Sequence, residues 1–222
     1  MKRSQINALQ REAVQFFAAH HFHLPPWAFW RRKDWEKNRT KTQEITALGL
    51  GWDLTDFGAG DFYHAGLLLF TLRNGAINQP GAKDYAEKVM IVREQQLTPL
   101  HFHWRKMEDL INRGGGNLVI EMWNSFSTEE LAATPVTVMV DGIPRTLKAS
   151  ESLVLTPGES VTLPPLLYHQ FYGKKGKGPV LVGEVSRVND DSKDNRFYKP
   201  AGRFPAIEED EEPLYLLCTE YR

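Results

Sequence analysis

Cysteine is nearly absent. Cys218 stands alone among 222 residues, so no disulfide can form within the chain. One thiol also excludes the Cys-rich zinc frameworks that staple small domains, and it suits a reducing compartment. Long hydrophobic runs are missing as well. The longest apolar stretch, around residues 65–72, falls far short of the ~20 residues that a membrane helix needs. The basic start of the chain has no apolar core behind it, because Gln5, Asn7, Gln10, Arg11 and Glu12 interrupt it, so no secretory leader is expected. Charge of one sign is not in surplus: 27 Lys and Arg oppose 28 Asp and Glu. A nucleic-acid binder needs a basic excess to displace counterions from phosphates. Repeats of solenoid period and low-complexity tracts are also lacking. The expectation is a soluble, cytoplasmic protein with neither nucleic acid nor membrane as partner.

The composition that remains, 41% hydrophobic and 25% charged, builds a core without staples at this length. Residues 4–20 read as an amphipathic helix: Ile6, Leu9, Ala13, Phe16 and Phe17 recur at three- and four-residue spacing, and Ser4 is placed to cap it. Pro25 and Pro26 follow, then an aromatic and basic stretch from Trp27 to Trp35 that packs its tryptophans and solvates its cations. Beyond about residue 50 the pattern becomes short apolar runs between turn residues. Strands are expected at 65–72, 88–93, 97–103, 118–123, 136–140, 153–155, 161–163, 168–172 and 180–185, with a last one at 214–218. Asp141-Gly142 signals a hairpin, residues 112–117 a tight connection, and the acidic run 208–212 a solvated loop. The fold class is therefore mainly β, an antiparallel sandwich or barrel. Residues 1–50 form a helical and aromatic cover, and residues 51–222 a single β unit.

The chemistry concentrates in one stretch. On a strand, His101 and His103 project from one face and Phe102 from the other. Glu108 lies five residues past His103, beyond a short reversal, and His169 supplies a third imidazole. Three imidazoles and one carboxylate, with no thiolate, favour Mn, Fe, Co, Ni or Zn in an open rather than structural site. A lone strand histidine is usually just a hydrogen-bonded residue. The His-x-His pair with its spaced Glu outweighs that reading here. His20, His21 and His23 close a helix and His64 stands apart, so none of these is expected to be a ligand.

With Gly114 added, His101-x-His103-x4-Glu108 resembles the first cupin motif, and His169 fits the histidine of the second. Leu166 and Gly173 stand where that second motif usually has Gly and Asn. The resemblance implies a cupin-type, jelly-roll-like antiparallel β-barrel holding a metal through His101, His103, Glu108 and His169. A closer likeness extends over nearly the whole chain. Residues 102–117 and 183–191, Asp194-Asn195, residues 200–205 and the acidic run are similar to the D-lyxose ketol-isomerase family. This implies a Mn2+-dependent isomerase, with Co2+ as another ion it could use. It would interconvert D-lyxose with D-xylulose, and D-mannose with D-fructose, as free sugars.

Moving a hydrogen between C2 and C1 requires a base within reach. Glu184, in phase with Val180 and Val182, is the first candidate; Glu121, in phase with Val119 and Trp123, is the alternative, unless either is only a paired charge. Lys106 is the cation nearest the motif and a candidate for both catalysis and sugar binding. Asp190, Asp194 and Arg203, in a polar region after the Glu184 strand, are candidates for reading hydroxyls. Sheet edges that need covering point to a homodimer. Competing readings are a metal-dependent cupin dioxygenase, a non-catalytic sugar-binding cupin and a phosphosugar isomerase. The last has no Gly-rich phosphate loop to support it.

Overall fold

In the computed structural model the described residues are 1–77, 79–188, 190 and 193–221. The chain opens with helix α1 (Arg3–Ala19), followed by the short helices α2 (Arg32–Asn38) and α3 (Gln43–Ala47). The strands are then β1 (Gly51–Thr55), β2 (Leu67–Arg73), β3 (Tyr85–Val92), β4 (Thr98–Phe102), β5 (Glu108–Gly115), β6 (Leu118–Ser125) and β7 (Leu131–Ala132). They continue with β8 (Val136–Val140), β9 (Ile143–Leu147), β10 (Ser152–Leu155), β11 (Ser160–Leu163), β12 (Tyr168–Gly173), β13 (Val180–Arg187) and β14 (Arg196–Phe197). One sheet has the order β1-β2-β3-β13-β5-β11-β8-β9 and the other β10-β6-β12-β4-β14, with β7 beside β6. All of these pairings are antiparallel. No helix among the described residues is long and apolar enough to cross a membrane.

Side-chain alternation builds two cores from one large sheet. Leu67, Leu69, Met90, Val92, Val180 and Val182 face inward and meet Leu118, Ile120, Met122, Leu153 and Phe171 of the smaller sheet. This is the interior of the expected cupin-type barrel. The intervening residues Leu68, Phe70, Val89, Ile91 and Leu181 face outward and are covered by Ile6, Leu9, Ala13 and Phe17 of α1. Strands covered on both faces lose the alternation of a half-buried strand, which is why residues 65–72 read as an apolar run interrupted only by Gly66 and Thr71.

The other side of α1 is polar and grips the C-terminal segment. Fully buried Arg3 donates to Glu209 at 2.7 and 2.8 Å and also pairs with Glu220. Asn7 accepts the Leu214 N–H at 2.7 Å. The acidic run is thus more than a solvated loop: Asp210 accepts the Ser4 N–H and hydroxyl at 2.8 and 2.7 Å, a carboxylate placed at the positive end of the helix. Those Ser4 hydrogen bonds hold the Asp210 carboxyl below its usual range. Ser4 is not the cap; the helix begins at Arg3, and the Lys2 N–H donates to Gln5 Oε1 at 2.9 Å. The expected strand at 214–218 is also absent as a strand. Only Leu217 makes a bridge, to Trp52 of β1.

Several turns follow the sequence closely. Asp141 and Gly142 have φ of 51° and 80° and join β8 to β9, as a two-residue hairpin requires. The connection expected at 112–117 starts only after Gly115, because residues 112–115 belong to β5. There buried Asn112 donates at 2.9 Å to Gly116 O and to Leu155 O. Leu166 has φ of 66°, a conformation that costs a non-glycine residue about 1–2 kcal/mol. Its N–H donates at 2.8 Å to His103 O, tying the approach to β12 onto the end of β4. A side chain at Gly173 would come within 2.6 Å of Arg93 O, so the close backbone approach there explains the glycine.

Candidate active site

The four expected ligands converge. His101 lies on β4, His103 just past its end, Glu108 at the start of β5 and His169 on β12. All four are buried. One donor atom of each lies within 4.8 Å of those of the other three. Register accounts for part of this, since His101 sits directly opposite His169.

The imidazoles are oriented by the backbone. Nδ1 of His101 lies 2.8 Å from Pro99 O, that of His103 2.7 Å from Asp194 O, and that of His169 3.0 Å from Leu167 O. A carbonyl only accepts, so each Nδ1 carries the proton and each Nε2 presents a lone pair. Nε2 of His103 and of His169 has no hydrogen-bond partner. Glu108 Oε1 lies 3.5 and 2.9 Å from these two atoms, close but without the alignment of a hydrogen bond. Buried lone pairs aimed at one point beside a carboxylate oxygen are costly unless a cation joins them. The donor set therefore fits a divalent metal, three nitrogens and one oxygen. Burial, with the neighbouring imidazoles of His169 and His103, holds His101 well below its usual range. It is neutral and able to ligate.

Next to this group runs a buried chain of alternating charge. Lys106 Nζ lies 2.6 Å from Glu108 Oε2 and 3.0 Å from Glu184 Oε1. Lys88 Nζ lies 3.2 Å from the same Glu184 oxygen. Burial pushes both carboxyls up, but the cations outweigh it. Lys106 foremost brings Glu108 well below the usual range, and Lys106 and Lys88 bring Glu184 below it. Both glutamates are ionised. Lys106 is therefore not a solvated turn lysine; it is buried between two carboxylates. Lys88 was not singled out from the sequence, although it is in phase with inward-facing Met90 and Val92, the same signal that marks Glu184.

Other sequence candidates lie elsewhere. Glu121 is on the outer face of the smaller sheet, opposite Gln170, where it accepts from Ser152, Gln170 and Tyr172 at 3.2, 2.7 and 2.9 Å. Its neighbours Ile120 and Met122 point into the barrel, so the expected interior position of Glu121 is corrected to the wet-face alternative. Asp194 does not present a free carboxylate to a sugar. Its two oxygens accept the N–H groups of Arg105 and Lys106 at 2.9 Å each, while its carbonyl orients His103. Asp194 thus pins the turn that carries Lys106. Asp194→Ala leaves the buried Lys106 N–H without an acceptor and is expected to lower stability by about 1–3 kcal/mol, read as a fall in the thermal midpoint.

Asp190 lines a larger cavity of about 1200 Å³ next to the site, not the cavity lined by His101, His103 and Glu108. The family-like stretch around it includes Asn189 and Asp191, which lie outside the described residues. Arg203 borders both cavities and is ion-paired with Asp53 of β1, a partner not foreseen because β1 itself was not. The ligand-bearing cavity is otherwise walled by Phe57, Leu67, Leu69, Met90, Leu110, Phe171 and Phe197. Apolar walls around a few converging polar groups are the usual makeup of a small-molecule site.

Comparison with known proteins places this geometry in a family. The family described as D-lyxose isomerase matches residues 1–221. A D-lyxose/D-mannose isomerase of Serratia proteamaculans is 53% identical over 223 residues, spanning 100% of this chain and 98% of its own. One from Escherichia coli O157:H7 is 52% identical over 224 residues, spanning 100% and 99%. Among solved structures, the L-ribose isomerase of Acinetobacter sp. DL28 in complex with L-ribose has a TM-score of 0.61 at 16% identity, covering 94% of this chain and 98% of its own. That of Cellulomonas parahominis with L-ribose has a TM-score of 0.60 at 18% identity, with the same coverage. These structural likenesses are of fold; the full-length sequence matches go further, and by them the chain belongs to the D-lyxose isomerase family.

Proposed function

We propose that this chain interconverts free D-lyxose and D-xylulose, and D-mannose and D-fructose, using Mn2+ held by His101, His103, Glu108 and His169. The observation that carries the reading is the junction of two features: four donor atoms aimed at one point, and the Lys106–Glu184–Lys88 chain beside them in one cavity. When bound, the ion supplies a Lewis acid that polarises the sugar carbonyl. Glu184, ionised, accepts the proton from C2 and returns it at C1. Lys106 donates to the sugar oxygen on which negative charge develops, and between Glu108 and Glu184 it is held ready for that role. Lys88 keeps the Glu184 carboxylate charged and oriented.

The choice of a free sugar over a phosphosugar rests on charge. The three cations lining the cavity, Lys88, Lys106 and Arg203, each face a carboxylate. A homodimer in the cytoplasm completes the reading, with Co2+ as a second ion that could serve. The test is a panel of free aldoses assayed with metal-stripped protein, with and without added Mn2+ or Co2+. Ketose formation from D-lyxose and D-mannose that depends on the ion is expected. Oxygen consumption without isomerisation would overturn the assignment.

A further inference from the structure

Thr98 and His101 are three residues apart on β4, yet both line the ligand-bearing cavity. A straight strand would turn them to opposite faces. The register explains the exception: His101 is opposite His169 and Thr98 opposite Phe171, so β4 uses three steps where β12 uses two. This is a β-bulge, which re-aims a side chain, and Pro99, with no N–H to lose, sits within it. The result is a threonine only 4% exposed whose hydroxyl has no hydrogen-bond partner. A buried hydroxyl without a partner carries a desolvation cost, and Thr98 lines the cavity together with apolar Leu69, Met90 and Phe171.

We propose that the Thr98 hydroxyl binds a hydroxyl of the sugar remote from C1 and C2. This rests on the isomerase reading given above. Three strand steps span at most about 10 Å, the reach of an extended five- or six-carbon chain whose reacting end lies at His101, His103, Glu108 and His169. Phe171 stands opposite Thr98 on β12, and the Thr98 hydroxyl has no hydrogen-bond partner within the protein. A site built to pair a substrate hydroxyl discriminates against analogues that lack it, so Thr98 sets preference among sugars and not the rate of the proton transfer.

Thr98→Val removes the hydroxyl and keeps the β-branched shape. With no partner lost, its thermal midpoint is expected to equal or exceed that of the native protein; a clear fall would show that the hydroxyl is already satisfied and overturn the proposal. On D-lyxose, KM is expected to rise about 10- to 100-fold with kcat within a few-fold, and Thr98→Ser to restore most of the loss. With 3-, 4- and 5-deoxy-D-lyxose, one analogue should be poor for the native protein and lose that handicap in Thr98→Val. Equal handicaps in both proteins for all three would overturn the proposal. Calorimetric binding of a five-carbon alditol, which cannot isomerise, separates this from the isomerase reading. Weaker alditol binding by Thr98→Val supports the Thr98 role even if no sugar turns over, while equal binding with normal turnover refutes Thr98 alone. A native protein that neither binds alditol nor turns over any sugar refutes both.

Discussion

Removing the divalent ion with a chelator is expected to abolish isomerisation and leave the fold in place. The reacting carbonyl loses several kcal/mol of charge stabilisation, so turnover falls by roughly three orders of magnitude or more. The fold persists because the imidazoles are anchored through Nδ1 to backbone carbonyls of residues 99, 194 and 167 rather than through the ion. Glu108 likewise retains Lys106 at 2.6 Å. Neither of the two buried cores that flank the large sheet includes any of the four ligand residues. His169→Ala should reproduce the loss in the presence of excess Mn2+, with metal content falling alongside activity. Circular dichroism checks the structural half of the expectation. A large loss of secondary structure on chelation would make the ion structural, and full activity in the stripped protein would remove it from catalysis.

The sequence shows the ligands clearly and the rest of the site unevenly, for physical reasons. His101 and His103 are legible because strand parity and a short spacing to Glu108 are local properties. Glu184 is legible because a charge in phase with Val180 and Val182 has no inward place except a polar site. The same parity misplaces Glu121, since Val119 is buried although it points away from Ile120 and Met122. A valine buried on the outer face of the smaller sheet thus mimics the phase of an inward position. Strand β5 escapes notice because its inward positions are Glu108, Leu110 and Asn112, two of them polar for reasons of chemistry and of hydrogen bonding to Gly116 and Leu155. Asp194 lies beside the site, next to Arg105 and Lys106. Only the fold reveals that the N–H groups of Arg105 and Lys106 consume its carboxylate. The roles of Lys88 and Thr98 depend on long-range register and on a bulge, and neither leaves a periodic trace in the sequence.

Glu184→Gln is expected to separate binding from chemistry. The amide is nearly the same size, and its oxygen can still accept from Lys106, which also keeps Glu108. The four ligands do not include Glu184, so metal content should be unchanged and KM should move by no more than a few-fold. The lost charge leaves Lys88 with a weaker partner, and stability should fall by up to a few kcal/mol, the scale on which buried ion pairs are broken. Turnover should fall by roughly 10²-fold or more, as for removal of a general base, and exchange of solvent hydrogen into C2 should fall with it. Glu121→Gln provides the internal comparison. Its carboxylate spends itself on Ser152, Gln170 and Tyr172 on the outer face, so its turnover should stay within about two-fold, as for a surface change away from the site. Near-normal turnover in Glu184→Gln would eliminate Glu184 as the base. Complete retention of the substrate's C2 hydrogen in the product, with no solvent exchange in the native protein, would instead indicate a hydride shift. The carboxylate, fixed at 3.0 Å from Lys106 and 3.2 Å from Lys88, would then serve to orient the sugar hydroxyls while hydrogen moves directly between C2 and C1.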